Sequence, residues 1–110
     1  MNYQAQQDGS PLSGMREKAD VVADFLKGLA SPQRLLVLCA LAQGEKTVGE
    51  LIALTGIAPT SMSQHLAKLK AEGIVGVRRA HRNLHYAISH PAVLEVMAVL
   101  SAHFCGAGEG

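Results

Sequence analysis

The sequence predicts a mainly α domain carrying one β-hairpin, in the order helix, helix, helix, helix, strand, strand, helix. Three observations predict it. Apolar residues recur three and four apart in the stretches before Gly73 and again after Pro91. Between Ile74 and Ile88 the period changes to two: Val75 and Val77 share one face, and Leu84, Tyr86 and Ile88 share one face of the return strand. Capping and turn residues stand at the joints between these segments.

The first helix is expected over Met15–Leu29, where Val21, Val22, Phe25, Leu26 and Leu29 form a stripe. Ser31-Pro32 restarts the chain, with Ser as N-cap and Pro at the first helical position. The second helix carries Leu35, Leu36, Leu38, Cys39 and Leu41 and ends near Gly44. Thr47 followed by Glu50 has capping-box spacing, which places a third helix over about Val48–Thr55, closed by Gly56. A fourth helix spans about Pro59–Glu72 and Gly73 ends it. Strands are expected over Ile74–Arg79 and Asn83–Ile88, and a last helix over Pro91–Phe104. That helix is apolar almost all round, and a helix of this kind is normally covered on every side. In so small a domain the natural cover is a second copy. The expected homodimer uses the first and last helices, with Val22, Phe25, Leu26, Val93, Val96, Met97 and Leu100 at the interface.

At 110 residues the chain is expected to form one small domain. Aromatics make up only 4% and Trp is absent, so Leu, Val, Ile and Ala must supply the core. Residues 1–14 and 106–110 are Gly-, Ser- and Gln-rich and are expected to be flexible tails around a domain at 15–105. No run is long enough to span a membrane, and the polar opening residues form no apolar signal segment. The expected location is cytoplasmic, where two cysteines do not ordinarily form a permanent structural disulfide.

The formal net charge of +1 conceals an asymmetry. Residues 1–57 hold six acids and five bases. Residues 58–90 hold one acid, Glu72, against Lys68, Lys70, Arg78, Arg79 and Arg82, together with four histidines. So local an excess suits a phosphate backbone. On the fourth helix Met62, Leu66 and Leu69 share a core-facing arc, while Ser61, Gln64, His65 and Lys68 lie on another. Gln can bond an adenine edge, Ser a base or phosphate, and Lys a phosphate. Thr60 at the helix start is placed to meet a phosphate, and Ser63 reads equally well as a contact or as plain solvent exposure. The hairpin tip, Arg78-Arg79-Ala80-His81-Arg82-Asn83, lacks apolar cover and suits phosphates or a minor groove. Together these elements predict a winged helix-turn-helix suited to reading double-stranded DNA. His81 and His85 share a strand parity, but with no thiolate or carboxylate beside them they are a weak metal signal.

The stretches LASPQRLLVLCAL, TVGELI, SMSQHLAKLKAEGIV and RRAHRNLHYAI resemble the ArsR/SmtB winged-helix repressors. The resemblance covers nearly all of Ala23–Phe104. It implies a homodimer on an imperfect palindromic operator that leaves DNA when an inducer arrives. The family's metal sites are not matched. Val48-Gly49-Glu50 stands where a Cys-x-Cys would be, and the last helix offers only Glu95 and His103. Neither a metal site nor a cofactor is carried over.

Cys39 and Cys105, preceded by Leu38 and Phe104, resemble the thiol-sensing branch that includes BigR, SqrR, YgaV and HlyU. In that branch two thiols answer reactive sulfur species, such as glutathione persulfide, by forming a polysulfide or disulfide bridge that relieves repression. Read without the resemblance, Cys39 fits a buried core cysteine on its apolar stripe, whereas Cys105, beside Gly106, has the freedom to react. A peroxide-responsive switch and a metal- or metalloid-responsive repressor using Cys39, His103 and Cys105 remain alternatives. His103 alone reads as well as a surface histidine. A thiol redox enzyme would be expected to show Cys-x-x-Cys or a strand-to-helix active turn, and this chain has neither, so no catalytic residue is assigned.

Overall fold

The computed structural model describes residues 12–105, and the flanking tails expected from the sequence lie outside them, apart from Leu12, Ser13 and Gly14. The chain divides into two compact units, one up to Ser31 and one from Pro32. The first contains helix α1 (Ser13–Leu29), so Ser13 and Gly14 are already helical rather than part of a tail. The N–H of Ala30 closes the helix on the carbonyl of Lys27. Of the residues expected at a dimer interface, Val22 and Phe25 are half-buried and Leu26 is exposed.

In the second unit the elements are α2 (Pro32–Leu41), β1 (Lys46–Thr47), α3 (Val48–Thr55), α4 (Pro59–Ala71), β2 (Val75–Ala80), β3 (Asn83–Ile88) and α5 (Pro91–Phe104). The capping box forms: the N–H of Glu50 donates to Thr47 Oγ1 at 3.2 Å, and the N–H of Thr47 donates to Glu50 Oε1 at 2.8 Å. Gly56 takes φ +75°, where a side chain would be strained, and turns the chain between α3 and α4. At the end of α4, Gly73 (φ +76°) donates to the Lys70 carbonyl and Ile74 to that of Leu69, a Schellman closure. These closures fix the helix-turn-helix and the departure of the hairpin from it.

The sheet has three strands in the order β1-β3-β2, one more than the two-stranded wing expected. The additional strand is only Lys46–Thr47, paired antiparallel with Tyr86 and His85. Strands β2 and β3 pair from Val75↔Ile88 to Ala80↔Asn83, leaving His81 and Arg82 as a two-residue tip. His81 sits there at φ +59°, a left-handed conformation that side chains rarely adopt.

Leu38, Leu51, Met62, Leu66, Leu69, Ile74, Val93 and Met97 fill the core. Burial of each stabilises the fold by about 1.5–3 kcal/mol. Val93 and Met97, expected at the interface, are buried within the chain itself. An all-round apolar pattern cannot show which side of a helix faces its own domain. The apolar surface that α5 leaves exposed is Leu94, Val96, Val99 and Phe104.

Candidate DNA interface and dithiol site

Helix α4 turns Met62, Leu66 and Leu69 into the core, and the arc carrying Ser61, Gln64, His65 and Lys68 lies about 115° around the helix from them. On that arc Gln64 and Lys68 are exposed, and Ser61 and His65 are half-buried. Thr60 and Ser63 are exposed as well. Two contacts the sequence did not reveal shape this surface. His65 Nε2 lies 2.8 Å from Gln33 Oε1, so the recognition helix is bonded to the first turn of α2. Lys68 pairs with Glu72 one turn along the helix, at 3.6 Å.

At the hairpin, Arg78, Arg79, His81 and Arg82 are all exposed. They are not equivalent. Arg78 donates from Nε and a terminal nitrogen to the two carboxylate oxygens of Glu45, at 2.7 and 2.8 Å. This two-pronged pair joins the wing to the segment before β1. The guanidinium hydrogen bonds hold the Glu45 carboxyl below the usual carboxylate range, and Glu45 in turn raises Arg78. The capping hydrogen bond from the Thr47 backbone likewise lowers Glu50. On the hairpin Arg79 and Arg82 make no ion pair among the described residues, so they are its bases most available to phosphate. Arg78 first has to exchange its carboxylate.

A second site lies between α2 and α5. Cys39 and Cys105, 66 residues apart in sequence, are brought into bonding contact at their sulfurs, with Cα atoms 7.3 Å apart. Cys39 is half-buried and Cys105 exposed at the C-cap of α5, its N–H bonded to the Ser101 carbonyl. The Ser101 hydroxyl approaches Cys39 Sγ at 3.9 Å. A serine one turn before Cys105 places a polar group on the same face, and that i, i+4 spacing was the available signal for it. The two sulfurs border a cleft of about 360 Å³ whose other lining side chains, Leu35, Leu36, Met97, Leu100 and Phe104 among them, are apolar. His103 is exposed, its ring 6.4 Å from that of Phe104. Among the described residues no cluster of three or more metal-ligating side chains is present.

The helix joining the two sites is α2. It packs on α3, on β3 and on α5, and Gln33 ties it to α4. A change at Cys39 therefore arises on the element against which the DNA-facing parts are assembled.

Comparison with known proteins agrees with this geometry. Residues 31–77 match the family described as bacterial regulatory protein, arsR family. The biofilm growth-associated repressor of Agrobacterium fabrum is 40% identical over 90% of this chain and 85% of its own length. Reduced HlyU from Vibrio cholerae N16961 superposes with a TM-score of 0.78 at 30% identity, covering 86% of this chain and all of its own. The homodimeric winged helix-turn-helix DNA-binding domain Mb0332 from Mycobacterium bovis gives a TM-score of 0.68 at 32% identity, covering 88% of each chain. With a winged helix-turn-helix, an outward-facing recognition helix and relatives alike over almost their full length, the chain belongs to the ArsR family of bacterial regulatory proteins.

Proposed function

We propose that this protein is a homodimeric, cytoplasmic transcriptional repressor that leaves its palindromic operator when reactive sulfur species bridge Cys39 to Cys105. The observation that carries the reading is the meeting of two distant cysteines between α2 and α5. Relatedness to a named repressor, the homodimeric state given for the Mycobacterium bovis domain and the apolar surface on α5 support the remainder. In DNA reading, Gln64 and Ser61 meet base edges, while Thr60, Ser63, His65 and Lys68 meet bases or phosphates. Arg78, Arg79, His81 and Arg82 follow the neighbouring backbone or minor groove.

The chemistry balances with a persulfide as oxidant. Each thiolate takes the outer sulfur of a persulfide RSSH and expels a thiolate RS⁻, giving a cysteine persulfide. The terminal sulfur of one cysteine persulfide then attacks the cysteine sulfur of the other, and hydrosulfide leaves. The product is a trisulfide bridge, with two persulfides reduced to thiols. The Cα separation of 7.3 Å lies just beyond the range of about 4.4–6.8 Å for ordinary disulfides while the sulfurs are in bonding contact, so the dithiol can close either as a disulfide or, with one more sulfur, as a trisulfide. The bridge fixes the end of α5 to α2, and α2 reaches the recognition helix through Gln33 and His65. A hundredfold loss of operator affinity needs a bias of only about 2.7 kcal/mol against the DNA-competent arrangement.

Operator binding by the reduced protein, followed by fluorescence anisotropy before and after glutathione persulfide, tests the reading, with zinc and peroxide as parallel additions. Release that dithiothreitol reverses and that Cys39→Ser abolishes is the expected result. Release that persists in Cys39→Ser refutes the switch, and release by zinc alone replaces it with a metal sensor.

A further inference from the structure

The cleft beside the cysteines has its own chemistry. It holds about 360 Å³ and is lined by Leu35, Leu36, Leu100 and Phe104, with Cys39 and Cys105 on its wall. That volume is in the range of about 300–1,000 Å³ typical of small-molecule sites. Among the described residues no charged side chain and no hydrogen-bonding group other than the two sulfurs lines it. An anionic carrier such as a glutathione derivative would have to desolvate its carboxylates here without a partner. Phe104 and Leu36 remain 81% and 50% exposed at the cleft, so apolar surface is available to an apolar guest. Of the exposed apolar residues of α5, Leu94, Val96 and Val99 lie about 70–130° around the helix from the Met97–Leu100–Phe104 face, whereas Phe104 belongs to the cleft itself.

We propose that the cleft is a docking site for uncharged organic polysulfides, dialkyl trisulfides in particular, and that it delivers them to the dithiol. The proposal rests on the reactive role given above to Cys39 and Cys105. The exchange is balanced. The Cys39 thiolate attacks the middle sulfur of R–S–S–S–R, one terminal S–S bond breaks, and RS⁻ leaves with the electron pair. The Cys105 thiolate then attacks that same middle sulfur in Cys39–S–S–S–R, displacing it from the outer sulfur and expelling the second RS⁻. Two cysteine thiols and one trisulfide become a Cys39–S–S–S–Cys105 bridge and two thiols RSH. The bridge retains one sulfur of the donor.

The test compares dipropyl trisulfide with glutathione trisulfide, which share a reacting centre and differ in charge and apolarity. Bridging of the reduced full chain is followed by intact mass, and each rate is divided by that of the same reagent with free N-acetylcysteine. A normalised preference of at least tenfold for dipropyl trisulfide is expected. Leu36→Glu and, independently, Phe104→Ala should reduce it several-fold. A preference near one in the unaltered protein overturns the proposal. So does a change of oligomeric state in Leu36→Glu by sedimentation, since the cleft then belongs to a second copy. Selective bridging without operator release supports the docking site and refutes the proposed repressor switch, so the two failures are distinguishable.

Discussion

Bridging Cys39 to Cys105 should move stability and DNA affinity in opposite directions. The bridge closes a loop of 66 residues, more than half of the chain. In the chain-entropy model a loop of that length lowers the freedom of the unfolded state by an amount equivalent to about 4 kcal/mol at 25 °C. With a urea dependence of about 1.5–2 kcal/mol/M for a small domain, the unfolding midpoint should rise by about 2–3 M. The assay is urea unfolding at one fixed protomer concentration, because dissociation of a dimer contributes to the midpoint. Reduced, persulfide-treated and Cys39→Ser proteins are compared, with operator binding measured on the same samples. The bridged protein should resist urea best and bind DNA worst. Oxidative damage would instead lower both. An unchanged midpoint after complete bridging, or the same rise in Cys39→Ser, would refute the reasoning, because the constraint would then not run between α2 and α5.

Gln33→Ala removes the partner of His65 while keeping a good helix former, and operator affinity should fall about two- to tenfold for one lost neutral hydrogen bond. An unchanged affinity in anisotropy titrations would remove Gln33 from the link between α2 and the recognition helix. Glu45→Gln releases Arg78, so the slope of log affinity against log salt should steepen by about 0.9, whereas Arg79→Ala or Arg82→Ala should each make it shallower by about as much. The Glu45 carboxyl should titrate below the usual carboxylate range in a carbon-13 NMR titration and return to it in Arg78→Ala. Because the folded-state value is depressed, the wing tether is fully present above the ordinary carboxyl range and is lost as the pH falls through the lowered value. Leu66→Ala leaves a cavity beneath the recognition helix and should cost about 2–5 kcal/mol in urea unfolding, a smaller loss indicating that the site collapses.

Most of the fold is legible in the residues because its joints are chemically explicit. Thr47 with Glu50, Gly56, Pro59, Gly73 and Pro91 each mark a boundary that local hydrogen bonding or backbone sterics enforces. The first strand escaped notice because two residues, Lys46 and Thr47, cannot display a period of two, and Thr47 also serves as a helix cap. The tether on Arg78 was equally invisible: Glu45 lies 33 residues away, and nothing in an arginine-rich hairpin names its distant carboxylate. The bond between Gln33 and His65 spans 32 residues and escaped for the same reason. Pairing of Cys39 with Cys105 came from resemblance to a family, since two cysteines so far apart carry no spacing signal. The cleft beside them is formed by two helices together, so neither helix pattern alone contained it.

Helix α2 divides its labour around its circumference. Val37, Leu38, Ala40 and Leu41 are buried in the assembly that supports DNA reading. Pro32, Leu35, Leu36 and Cys39 face the cleft. At 100° per residue the two sets are centred about 170° apart. Under the proposed switch, substitution in the second set would alter what the protein detects without disturbing the packing beneath its recognition helix. On this scaffold the proposed inducer chemistry and operator choice would therefore be separable traits, free to diverge at different rates and open to independent redesign.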